Sequence, residues 1–291
     1  MRVLGVGVAT LDIIDSVDEY PREDTEQRAL ARWSRLGGNA ANTLVVLSQL
    51  GHDCSWAGSL AGDATAGQIV HALEAHAIDL QWVCHHAGGS SPVSHILQSR
   101  RTASRTIVHY RDLPEFEADE FARIDLSRYD WLHFEGRHVS ACERMLKQVR
   151  QHRSGLRISL EVEKPRQGIE RLFHLADVLI FSRAFIQAKG YATAPELFAS
   201  VRARSVPGLL YAAWGEEGGW LDDGETSPLH LSARPPARLV DTLGAGDVFN
   251  AGVIHALLKG ETPQQALAWA IELAGRKCGQ QGLDGLVESD V

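Results

Sequence analysis

Apolar positions fall along this chain in two alternating rhythms. Trp131-Leu132-His133-Phe134, Leu156 to Val162, Val178-Leu179-Ile180-Phe181 and Leu209-Leu210-Tyr211-Ala212-Ala213 are short, nearly unbroken apolar runs. That is the composition of strands covered on both faces of a parallel sheet. Arg2-Val3-Leu4-Gly5-Val6-Gly7-Val8 has the same character; it is too short and glycine-broken for a signal peptide and reads as a buried first strand. Helical stretches lie between the runs: Asn39 to Leu50, stopped by Gly51, then Asp63 to Ala77 and Cys142 to His152. Thr262-Pro263-Gln264-Gln265 supplies an N-cap, a proline at the first helical position and a capping-box glutamine, opening a helix that should run to about Cys278. From about Gly37 onward this alternation predicts βαβ units and an α/β fold of three layers with a mainly parallel sheet.

Two regions break the rhythm. Ile13 to Tyr20 with Thr25 to Arg35, and Pro92 to Arg111 turned near Arg101-Thr102-Ala103, alternate like strands with no helix between them. These four strands do not suit the parallel sheet. They are expected to form a small projecting β-sheet, a lid made of about residues 12–36 and 92–112. Residues 1–291 contain no repeat, linker or low-complexity tract, so one folding unit carrying a lid is expected.

Charge and cysteine usage narrow the function. The net charge of −8 argues against nucleic acid or an anionic membrane as partner, since both reward a basic face. No segment approaches the ~20 apolar residues that span a bilayer. Cys54, Cys84, Cys142 and Cys278 are scattered without metal-ligand spacing and read as free thiols of a reducing, cytoplasmic compartment. The 13 histidines form no metal-binding pair such as His-Glu-x-x-His.

The most specific local signal is Asp241-Thr242-Leu243-Gly244-Ala245-Gly246-Asp247-Val248-Phe249-Asn250-Ala251-Gly252, followed by an apolar helix ending at Lys259-Gly260. Small residues opening a helix leave its first N–H groups bare, and the helix dipole adds partial positive charge there. Such a place stabilises a migrating phosphoryl group, and Asp247 on the same turn is positioned to take a hydroxyl proton. The plainer alternative is a glycine turn whose aspartate caps its own helix. Neither a Walker motif nor a complete Gly-x-Gly-x-x-Gly is present; Gly5-Val6-Gly7 alone would suggest a dinucleotide-binding fold. The chain has 24 arginines, 5 lysines and only three asparagines, and Asn39, Asn42 and Asn250 all lie beside its two glycine clusters. Polar recognition or backbone bonding at those points is the expectation.

Gly37-Gly38-Asn39 paired with Asp241-Thr242-Leu243-Gly244-Ala245-Gly246-Asp247 resembles the ribokinase-like (PfkB-type) carbohydrate kinase family. Over almost its whole length the chain is similar to the ketohexokinase branch. The matching stretches include Leu11 to Ile14, Tyr20 to Asp24, Arg105 to Val108, Glu135-Gly136-Arg137, Glu161-Val162-Glu163-Lys164-Pro165-Arg166, Ala213 to Gly218 and Lys277 to Gly285. The resemblance implies a ribokinase-like fold and transfer of the γ-phosphoryl of ATP, as Mg-ATP, to the 1-hydroxyl of a ketohexose, D-fructose above all.

Residue by residue, the resemblance implies Asp247 as catalytic base and the N–H groups of Gly244, Ala245 and Gly246 as an anion hole. Asp12, Gly38, Asn39 and Asn42 would hold the sugar with Asp247, and Arg105, Gly215, Glu216, Glu217 and Gly218 would join the glycine turn in holding ATP. Trp214 is expected in the core, and Cys278 as a buried thiol near the adenine pocket. Many members carry an Asn-x-x-Glu motif that organises magnesium; Ser182-Arg183-Ala184-Phe185 lacks both residues, which leaves the metal ligands open, with Glu161 and Glu163 as water-mediated candidates. Potassium stays open as an activator. A homodimer through the lids is implied, with Asp24 reaching the neighbour's sugar site. Competing readings are a same-fold kinase for another sugar, a nucleoside or a sugar acid, and a non-catalytic sensor.

Overall fold

The computed structural model describes residues 1–102 and 104–287. The chain runs through β1 (Arg2–Val6), β2 (Thr10–Val17), β3 (Ala31–Gly37), α1 (Asn39–Gln49), β4 (Asp53–Ala61), α2 (Ala64–Ala75) and β5 (Asp79–His86). It continues through β6 (Ser90–Ser99), β7 (Arg105–Asp112), α3 (Ala118–Phe121), β8 (Trp131–Glu135), α4 (Val139–His152), β9 (Arg157–Val162), β10 (Val178–Ser182) and α5 (Arg183–Ala188). It ends with α6 (Ala194–Arg202), β11 (Leu209–Ala213), β12 (Gly219–Asp222), β13 (Leu229–Leu231), α7 (Ala245–Leu258) and α8 (Pro263–Cys278).

Nine strands form one sheet in the order β13-β12-β11-β10-β9-β8-β1-β4-β5. It is parallel from β11 to β5; at one edge β12 pairs antiparallel with β11, and β13 antiparallel with β12. β8 is buried at every position, as a strand covered on both faces must be. One face packs on α4, α5 and α6 through Leu146, Phe185 and Phe198. The other packs on α1, α2, α7 and α8 through Leu44, Leu73, Ile254 and Leu267. The result is the expected three-layer α/β fold with a mainly parallel sheet. Thr262 and Gln265 form the anticipated capping box at the start of α8, which ends at Cys278.

The four remaining strands form a second sheet in the order β3-β2-β6-β7. Here β2 and β6 run parallel, and the outer pairs are antiparallel. Its first two strands are displaced from expectation: β2 ends at Val17 and β3 starts only at Ala31. Most of residues 18–30 lie exposed and unpaired in the sheet, around Pro21, which has no N–H to give a ladder. Directly paired residues share a face, so Arg35, Asp12, Ser94 and His109 line up in one row across the sheet. That face meets the main body. Arg35 of edge strand β3 donates from Nη1 to Asp241 Oδ2 at 2.7 Å, and Arg105 of edge strand β7 donates from Nη1 to Thr242 Oγ1 at 3.0 Å.

Candidate active site

In the parallel sheet the carboxyl ends of the strands lie along one edge, and the functional side chains gather there. β8 ends at Glu135, and β9 carries Glu161 with Glu163 just beyond its end. Above that edge is the turn into α7. Gly244 is its N-cap at φ 88°, a left-handed conformation natural to glycine, and no side chain caps the helix. The N–H groups of Gly246 and Asp247 therefore have no partner within the helix. Val248 N–H already bonds to Gly244 O, and Ala245 N–H bonds back to Thr242 O at 3.3 Å.

Asp241 anchors this turn. Its Oδ1 accepts from Leu243 N–H at 2.9 Å, and its Oδ2 accepts from Arg35, from Lys277 Nζ at 3.0 Å and from Gly282 N–H at 3.2 Å. Lys277 is fully buried, and its ammonium also donates to Asp241 O at 2.8 Å and Gln280 O at 3.4 Å. Burial by itself would raise the Asp241 pKa. The Arg35 guanidinium, the Leu243 N–H and the Lys277 charge outweigh it and hold the carboxyl at about 2.

Asp247, on the first turn of α7, is buried, and Asn42 Nδ2 donates to its Oδ2 at 2.7 Å. Burial pushes its pKa well above the carboxylate range; the Asn42 bond opposes that, while the charges of Glu163, Glu135 and Asp12 add to it. Glu161 Oε1 accepts from both Asn39 Nδ2 and Asn250 Nδ2, each at 3.0 Å. Its buried Oε2 has no protein partner, and burial together with Asp247, Glu135 and Glu163 raises its pKa strongly. Glu135 Oε2 accepts from Val8 N–H at 3.0 Å. The three asparagines thus converge on two carboxylates. Asn39 and Asn42, expected at sugar hydroxyls, each give one amide N–H bond, to Glu161 and to Asp247, and the Asn42 carbonyl oxygen is buried without a partner.

Asp12 is buried on β2 and its Oδ1 accepts from Thr10 Oγ1 at 2.8 Å. Gly38 begins α1 at φ 96°, where a Cβ would meet Val8 O at 2.2 Å. No other residue fits there without moving the chain that delivers Asn39 and Asn42. Next along the Asp12 row, Ser94 Oγ and His109 Nδ1 are 3.2 Å apart. Asp24 stands apart in the exposed loop, with a positive φ of 57°.

Beside the turn opens a cleft of about 610 Å³. Arg105, Gly215, Glu216, Gly218, Ala245 and Gly246 line it together. Cys278 lines it as well and is half-buried rather than fully so. Glu217 is turned to a different partner: it pairs with Arg183 at 2.9 Å. Trp214 is buried, in keeping with a core role. Sequence reasoning missed Asn250 as a holder of Glu161, Lys277 as the ammonium beneath the turn and Arg183 as a wall of the cleft. The clue to Asn250 was there: it follows Asp247 by three residues, one turn along the same helix face. Among the described residues no group of three or more His, Cys, Asp or Glu side chains is arranged to hold a metal ion.

A cleft this size, lined by the bare first turn of α7 that precedes buried Asp247, suits phosphoryl transfer. Known proteins agree with that chemistry. Residues 2–289 match the model of the pfkB family carbohydrate kinases, and the chain belongs to that family. It is 40% identical to ketohexokinase of Mus musculus over 295 residues, which is 98% of this chain and 99% of the relative. A fructosamine kinase of Bacillus subtilis is 24% identical over 256 residues, covering 86% of each. Among solved structures, Arabidopsis thaliana ribokinase complexed with ribose and ATP superposes with a TM-score of 0.80 at 20% identity, covering 97% of this chain and 93% of that one. Ribokinase of Thermotoga maritima gives 0.79 at 21% identity, covering 98% and 95%. The protein is a sugar kinase of the pfkB/ribokinase family.

Proposed function

We propose that this kinase transfers the γ-phosphoryl group of Mg-ATP to the 1-hydroxyl of a ketohexose, D-fructose first, giving fructose 1-phosphate and ADP. The Asp247 carboxylate carries the reading. Asn42 fixes one of its oxygens at 2.7 Å, and its raised pKa suits a base working near neutral pH. The identity of 40% to ketohexokinase is what selects a ketohexose among sugars. Asp247 accepts the proton of the attacking hydroxyl. The N–H groups of the Gly244-Ala245-Gly246 turn stabilise the charge of the migrating group, Ala245 by giving up its 3.3 Å bond to Thr242 O, as donors aimed at developing charge do. Asp12, Gly38, Asn39 and Asn42 orient the sugar. Arg105 reaches the phosphates by giving up Thr242, while Gly215, Glu216 and Gly218 flank the nucleotide.

Magnesium, when bound, neutralises charge on the phosphates. The residues fit a metal held chiefly by phosphate and water: the free Oε2 of Glu161 and the nearby Glu163 can accept from metal-bound water, and no protein cage is needed. Potassium fits less well beneath the turn, because the Lys277 ammonium already fills the oxygen cage of Asp241 and Gln280. The small sheet acts as a lid over the sugar, and two lids clasp in a homodimer that brings Asp24 to the neighbouring site. Exposed Val108 and Tyr110 on edge strand β7, at 66% and 58%, are apolar groups suited to a partner surface.

A coupled ATP assay across fructose, tagatose, ribose, adenosine and sugar acids tests the substrate, with NMR of the product to locate the phosphate. Fructose should lead, with phosphate on the 1-oxygen. Preference for ribose or adenosine would move the assignment to another kinase of the fold, and sugar binding without turnover would indicate a sensor.

A further inference from the structure

Resting on the reading of the cleft as the nucleotide site, we propose that Arg183 is a second phosphate-binding cation, set in place by Glu217 and Trp214. Its sequence context left it without a role, since Ser182-Arg183-Ala184-Phe185 lacks the asparagine and glutamate associated with magnesium. The geometry gives it one. Ser182 caps α5 by accepting from Phe185 N–H at 3.0 Å, and its hydroxyl donates to Glu163 O at 2.8 Å. Those two bonds tie the start of α5 to the strand end that carries the buried carboxylates.

Arg183, the first residue of α5, consequently lines the same cleft as Arg105, Ala245 and Gly246. Its guanidinium lies over the Trp214 ring, 5.3 Å from the centroid, and Nη1 meets Glu217 Oε1 at 2.9 Å. Stacking and pairing fix the plane of the group. A guanidinium has five N–H donors, so the Glu217 contact leaves others for phosphate oxygens.

Charge gives a second argument. A nucleoside triphosphate brings several negative charges into a cleft that already contains Glu216. The α7 N-terminus offers only about half a positive charge. Arg105 comes from the small sheet, so its position depends on where that sheet lies. Arg183 opens α5 directly after β10 of the large sheet and offers a cation that does not move with the small one. Glu217 is then a positioning residue acting through Arg183, which accounts for a carboxylate that pairs with Arg183 instead of lining the cleft.

Calorimetric titration with MgADP and with adenosine tests this on the wild type, Arg183→Met, Arg183→Lys and Glu217→Gln, with thermal melts as the check on folding. The expected result for Arg183→Met is ~10–100-fold weaker MgADP binding, the range for losing a charge-assisted hydrogen bond or two, with adenosine and sugar affinities unchanged. Arg183→Lys should recover part of the loss, and Glu217→Gln should show a smaller loss of the same kind. Equal weakening of adenosine and MgADP would make Arg183 a mere wall residue and overturn the proposal. Unchanged MgADP binding in Arg183→Met, or in Glu217→Gln together with Arg183→Lys should the methionine variant not fold, would overturn it too. A wild type that binds neither ligand removes the nucleotide reading of the cleft itself, an outcome distinct from failure of the arginine.

Discussion

The surroundings of Asp247 disfavour its charged form, and two measurable effects follow. A base whose folded pKa is raised gains its working form only as pH climbs, so kcat/KM for the sugar should rise through a pKa well above the usual carboxylate value near 4. Asp247→Asn keeps the shape and removes the acceptor, so turnover should fall roughly 10²–10⁴-fold with sugar affinity nearly intact. Near-normal turnover in a folded variant would remove Asp247 from the role. The stability sign is opposite to that of a salt-bridged carboxylate. The folded state holds the proton more tightly than the unfolded one, so the group lowers stability increasingly as pH rises from about 4 through the raised pKa. Asp247→Asn should therefore melt above the wild type at pH 8, with the difference vanishing near pH 4. Arg105→Ala should raise the KM for ATP at saturating sugar more than the KM for sugar, because the guanidinium faces the cleft; a change confined to sugar affinity would place Arg105 with Asp12 instead. The sequence already marked Asp247, the glycine turn and all three asparagines as special. It could not show that Asn39 and Asn250 meet on one oxygen of Glu161, because 211 residues separate them and only the fold brings them together.

At the scale of elements, α1 and α7 are held together at both ends. Asn42 joins them at the active-site end, and just past the other end of α1 His52 Nε2 and His255 Nδ1 lie 2.9 Å apart in a buried pair. Burial, then the His255 charge, the amino terminus and Lys259, lower the His52 pKa to about 4; burial and Lys259 lower that of His255 as well. Neutral histidine belongs to the folded state, so stability is complete above the unfolded pKa of about 6.5 and is lost as pH falls from there towards 4. The loss from His52 should amount to about 3 kcal/mol at most. Melting temperatures from pH 7.5 to 5 should fall steeply in the wild type and less steeply in His52→Leu; parallel curves would assign the acid sensitivity elsewhere. The long helices and the buried central strands were legible because burial on two faces leaves an apolar run and because caps have a chemistry of their own. β2 and β3 were misplaced by several residues, since an exposed loop with charges at alternate positions looks like a half-buried strand. β12 and β13 escaped notice: Gly219–Asp222 and Leu229–Leu231 are too short to show any period.

For the whole molecule, the outer face of the small sheet bears exposed Val108 and Tyr110, with exposed Leu30 just before β3. If lids clasp in a dimer, mixing inactive Asp247→Asn subunits with Asp24→Ala subunits, each first shown to be severely impaired alone, should restore activity in mixed dimers, where one site has both residues intact. No recovery would place Asp24 in its own subunit's site or in none, and a monomer by light scattering at assay concentration would end the proposal sooner. The sheet's attachment to the body has a mechanical consequence. Its two edge strands are tied to consecutive residues, Arg35 to Asp241 by a partly buried ion pair and Arg105 to Thr242 by a single exposed hydrogen bond. Unequal ties at one point behave as a hinge with a catch. On the proposed nucleotide reading, phosphate drawing Arg105 away would open the catch and leave Arg35 as the pivot, so that the sheet could swing without sliding. Nucleotide arriving first would thus loosen the sheet above the sugar pocket, and nucleotide leaving would latch it again.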